Sequence, residues 1–82
     1  MEKQTREEIL AAALEGREQE VMTYQINIDN YTIALEHINE LSANDRAELS
    51  GFTEQLRTLL ASEKLEQRKA KIMLGVLKQQ LE

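Results

Sequence analysis

Apolar residues recur every three or four positions from Leu10 to Ile38 without a break in phase. The series is Leu10, Leu14, Arg17, Val21, Tyr24, Ile28, Tyr31, Leu35 and Ile38, and only Arg17 is charged. A 3–4 spacing keeps side chains on one stripe of a helix, and sustained over about four heptads it is a coiled-coil seam. Thr5-Arg6-Glu7-Glu8 just ahead of it has the form of a capping box. Within this run "YQINIDNYTI", residues 24–33, imitates a strand. Its isoleucines do not keep strand parity: Ile26 and Ile28 are even, whereas Tyr31 and Ile33 are odd. A change of parity flips the face of a strand. Asn27, Asp29, Asn30 and Thr32 cost roughly 2–3 kcal/mol of helix propensity relative to alanine. Burying Ile28 and Tyr31 returns about 1.5–3 kcal/mol each, so helix is the prediction.

The run "LSANDRAEL", residues 41–49, is the richest in cap and turn residues. Ser42, Asn44 and Asp45 can each cap a new helix, and Asp45 with Glu48 resembles a second capping box. Beyond it the expected seam is Leu49, Phe52, Leu56, Leu59, Glu63, Glu66, Ala70, Met73 and Leu77. The pattern thus predicts an all-α, antiparallel two-helix coiled-coil hairpin in one domain, residues 1–82. Helix one spans about 5–42, the turn about 42–45, and helix two about 45–82 or, because of Gly51, from nearer Ser50. Folding about Ala43–Asn44 sets Ile38 against Leu49, Leu35 against Phe52, Tyr31 against Leu56 and Ile28 against Leu59. Further along, Val21 meets Glu66, Leu14 meets Met73 and Leu10 meets Leu77. Arg17, Tyr24, Glu63 and Glu66 then form a polar layer in mid-seam, with Arg17 beside the two glutamates.

This seam leaves apolar residues unused. Met22, Ile26 and Ile33 lie opposite it on helix one; Leu60, Leu65, Ile72 and Val76 lie off it on helix two. A thin core and a second apolar face point to a partner. A symmetric dimer closing into a four-helix bundle is the expected arrangement.

Composition narrows the chemistry. The 82 residues include no Pro, Cys or Trp and only three Gly, one Phe and two Tyr. A chain almost free of helix breakers can be long helix, and one without thiols has neither disulfides nor thiolate metal sites. Net charge is −5, with nine acids and three bases in residues 1–41 against six and seven in 42–82. An acidic chain is repelled by phosphates, which argues against a nucleic-acid partner. The basic run 64–78 (Lys64, Arg68, Lys69, Lys71, Lys78) is read as a solvated or paired face, opposite Glu15, Glu18 and Glu20. No apolar run reaches the ~20 residues of a membrane span. "ILAAAL", residues 9–14, follows two glutamates and is no secretory core, so a cytoplasmic location is expected.

No phosphate loop, Ser/His/Asp set or paired inward carboxylates appear, and the expectation is a non-enzymatic chain without a cofactor. His37, the single histidine, sits in "EHINE" with Glu36 and Glu40. Di-iron helices place Glu three residues before His, and here that position is Ala34. The whole chain, and "REEILAAALEGREQEV" and "YQINIDNYTIALEHI" in particular, resembles the short helical proteins of tailed bacteriophages and prophages. That resemblance implies an accessory factor or inhibitor that binds a host or viral protein. The first functional expectation is therefore a small oligomeric helical scaffold or regulator, pairing with itself and with another protein. An acidic mimic occupying a basic site on a host protein is the alternative, and a metal-binding bundle around His37 the third.

Overall fold

Thr5 starts the helix by the expected device. Its backbone is extended and its hydroxyl accepts from the Glu8 amide at 3.2 Å, satisfying a donor that the first turn cannot. In a computed structural model that describes residues 3–82, helix α1 then runs Arg6–Asn39 through the strand-like stretch. The poor helix formers there each find a partner. Gln25 Nε2 donates to Asp29 Oδ1 one turn on at 2.9 Å, and the Thr32 hydroxyl donates back to the Ile28 carbonyl at 2.7 Å. Asn27 Nδ2 reaches across to Glu63 Oε2 at 3.3 Å. Local bonds of this kind offset the propensity deficit without leaving the helix.

The turn is longer than expected and contains a helix of its own. Helix α1 ends at Asn39 rather than near 42 because Ser42 takes over as a cap, its hydroxyl accepting from the Asp45 amide at 3.2 Å. Helix α2 (Ala43–Glu48) follows, and Arg46 Nη1 donates back to the Asn39 carbonyl at 3.3 Å. A cation there satisfies an end carbonyl and opposes the negative pole of α1. Of the two starts expected for helix two, about residue 45 or nearer Ser50, the long helix takes the second: the chain is interrupted at Leu49 (φ −96°, ψ 10°), and α3 starts at Ser50 and ends at Leu81. Two poor helix formers, Ser50 and Gly51, follow directly on the interruption and open α3.

Helices α1 and α3 pack antiparallel along their length, joined at the open end by Arg6 Nη2 donating to Gln80 Oε1 at 3.0 Å. The molecule measures 64 × 24 × 16 Å, two helices wide and one helix thick. Its core is correspondingly thin. Ile28, Ile38, Leu56, Ala70 and Gln67 are buried, and among the described residues no large side chain is fully enclosed.

On α1 all nine expected seam positions, from Leu10 to Ile38, are buried or half-buried. On α3 the packed stripe is Leu49, Thr53, Leu56, Leu60, Glu63, Gln67, Ala70, Leu74 and Leu77. It shares every second position with the expected seam and shifts the others by one residue. Phe52, Leu59 and Met73 are therefore 49%, 38% and 42% exposed, and Leu60, expected on the outer face, turns inward. Both phases satisfy a 3–4 rule, but the expected one would bury Glu66 in mid-seam, where the structure buries the neutral amide of Gln67. Desolvating a carboxylate costs far more than desolvating an amide that keeps its hydrogen bonds. Thr53 is accommodated because its hydroxyl donates to the Leu49 carbonyl at 3.0 Å.

Leu56→Ala is expected to lower the unfolding free energy by about 2–4 kcal/mol. Phe52→Ala should change it by less than about 1 kcal/mol at concentrations where the chain is monomeric. Urea denaturation of the two variants separates the packed phase from the alternative.

Candidate interaction surface

The polar layer of the seam is built around Gln67, 7% exposed. Its Nε2 donates to the Val21 carbonyl at 3.2 Å and to Gln25 Oε1 at 2.9 Å. Gln25 passes the chain on to Asp29, and Asn27 joins Glu63 beside it. Among the described residues no buried side-chain polar atom lacks a partner. No fully buried atom of the layer is left orphaned, which is the condition under which buried polar groups fix register rather than weaken a core.

The four residues expected to make this layer are placed differently. Tyr24 and Glu63 are half-buried in the seam, and Glu63 accepts from Asn27. Arg17 is in the seam but pairs with Glu20 at 2.9 Å on its own helix, instead of with Glu63 or Glu66. Glu66 pairs with Lys69 at 3.0 Å, also one turn away. Arg57–Glu54, at 2.8 Å, is the third pair of this kind. Among the described residues no ion pair crosses between α1 and α3, so the basic run 64–78 is not neutralised by Glu15, Glu18 or Glu20. Exposed pairs three residues apart contribute about 0.2–0.5 kcal/mol each, too little to choose a register. Gln67, Gln25 and Asn27 were the residues to find. Their signal is a row of amides where a 3–4 stripe crosses the middle of each helix.

The outer edges carry the apolar residues that the hairpin does not use. On α1, Met22, Ile26 and Ile33 are 62%, 52% and 50% exposed. On α3, Ile72, Leu65 and Val76 are 67%, 45% and 42% exposed. At 100° per residue each trio falls within a sector of about 40°, half a turn from its own seam. Two separate apolar stripes therefore run along the two narrow edges of a flat molecule. Phe52, Leu59 and Met73 form a third line, about a quarter-turn from the α3 seam.

Other features offer less. An open groove of about 550 Å³ beside the turn is lined by Thr32, Glu36 and Asn39 on one side and by Arg46, Glu54 and Arg57 on the other. Arg46 and Arg57 are committed to the Asn39 carbonyl and to Glu54. His37 is exposed near the end of α1, and among the described residues no three metal-ligating side chains gather. Among the same residues no helix is long and apolar enough to cross a membrane.

Gln67→Leu is expected to leave unfolding stability unchanged or raised, because it replaces a satisfied amide by an apolar group of similar volume. Gln67→Ala should lower stability by about 1–3 kcal/mol through lost packing and lost hydrogen bonds. Thermal and urea unfolding of both variants measures the difference. No protein-family model, curated protein or solved structure matches this chain, so the arrangement of its faces is what bears on function.

Proposed function

We propose that this chain is a non-enzymatic protein-interaction module, a small helical scaffold or regulator that associates through the outer edges of its hairpin. The observation that carries this reading is exposed area. A compact monomer of 9.4 kDa exposes about 5,000 Å², whereas this chain presents 6362 Å². The excess is greater than the ~800 Å² that each partner contributes to a standard interface. It is also apolar where it counts, in lines at helical spacing instead of scattered single residues. Helical partners fit such lines because an apolar stripe accepts the i, i+3, i+4 residues of an amphipathic helix. The first such helix available is that of another copy. Service as an accessory to a larger phage or host protein, as the resemblance implies, would use the same edges.

The module is expected to sediment as more than a monomer at tens of micromolar, with a melting temperature that rises with protein concentration. A monomeric molar mass by light scattering up to about 100 μM, together with a concentration-independent melting temperature, would overturn the self-associating form of this reading.

A further inference from the structure

The two outer edges complement each other, and they face opposite ways. Along α1 the exposed edge reads Met22, Ile26, Ile33 with Asp29 at its side; along α3 it reads Leu65, Ile72, Val76 with Arg68 at its side, where Arg68 also borders a groove with Gln25 and Ile28. Each has three apolar residues and one charge, negative on α1 and positive on α3. Set antiparallel, Ile33 meets Leu65, Asp29 meets Arg68, Ile26 meets Ile72 and Met22 meets Val76, in register to within one residue. Arg68 makes no ion pair among the described residues. Asp29 accepts a single hydrogen bond, from the neutral Gln25 amide. The surroundings repeat the complementarity: Glu36 lies beyond Ile33, and Lys69 lies beside the α3 stripe.

From this we infer that the occupant of each edge is the opposite edge of a second copy of this chain, the α1 edge of one hairpin lying against the α3 edge of the next. Hairpins set side by side in the same orientation bring α1 beside a neighbouring α3 running antiparallel to it, as the register requires. The contact is heterologous: every copy offers one edge and receives another, so it propagates to a ring or an open row of helices and does not stop at two. A closed four-helix bundle of two hairpins needs apolar lines a quarter-turn from each seam. Phe52, Leu59 and Met73 satisfy that on α3, but the corresponding positions on α1 are Glu20, Asn27 and Ala34. That side is apolar on one helix only. The half-turn placement of the matched stripes favours the row over the closed bundle.

This inference rests on the interaction-module reading and is tested so that the two fail separately. Ile26→Asp removes the α1 edge and Ile72→Asp the α3 edge; both positions are exposed, and circular dichroism checks that helicity is retained. Each variant alone is expected to be monomeric by sedimentation velocity. Mixed at equal concentration they should give a one-to-one heterodimer and nothing larger, because one intact edge of each kind remains. Asp29→Arg should weaken association of the otherwise native chain about tenfold or more by setting like charges together, and Asp29→Arg with Arg68→Asp in the same chain should restore it. A wild type that associates while the mixed variants do not pair, or that forms a dimer that never grows, overturns the edge-to-edge inference and leaves the module standing. A wild type that stays monomeric overturns this inference together with the self-associating form of the module.

Discussion

Everything outside the hairpin seam follows from which side chain of α3 enters its middle. A two-helix layer has one shared face, and in the centre of that face sits Gln67, bonded to the Val21 carbonyl and to Gln25. One residue earlier stands Glu66. Placing its carboxylate there would desolvate a charge with no cation across the interface, since Arg17 is engaged with Glu20. Gln67 sets the rotation of α3. That rotation brings Thr53, Leu60 and Leu74 inward, turns Phe52, Leu59 and Met73 toward solvent, and aims Leu65, Ile72 and Val76 away from α1. The distribution of apolar surface thus follows from which polar side chain of α3 is most deeply buried, the amide of Gln67 and not the half-buried carboxylate of Glu66.

Helix α1 was legible in the sequence because its apolar spacing admits one phase. The strand-like segment 24–33 failed on parity, and the expected nine-residue stripe is the one that packs. The cap at Thr5 was equally plain. Helix α3 was ambiguous because leucines occur in pairs: Leu59 and Leu60, or Met73 and Leu74, serve either phase when hydrophobicity alone decides. Polar side chains break the tie, and their cost depends on which partners lie opposite. The short helix α2 escaped notice for a different reason. Ser42, Asn44 and Asp45 all have cap chemistry, and geometry at Asn39 and Arg46 selects among them. The outer edges could be read in part: Met22, Ile26, Ile33, Leu65, Ile72 and Val76 are exposed, whereas Leu60 is not fully so.

A flat hairpin separates two tasks that a globular domain combines. The seam maintains the register with modest burial, and the edges remain free for contacts with other molecules. The groove near the turn is lined by residues outside the two apolar stripes.

The turn also decides the order in which the hairpin closes. Ser42 and Arg46 tie the chain within a few residues of Asn39, where the entropy cost of joining the two helices is smallest. Each successive layer toward Arg6 and Gln80 adds to an already closed ladder, like teeth drawn together from the fixed end of a zip fastener. The open end, where Arg6 bonds Gln80 in solvent, is the last to join and the first to fray. Amide protection should therefore decline along the molecule with distance from the turn, a gradient running the length of a 64 Å rod.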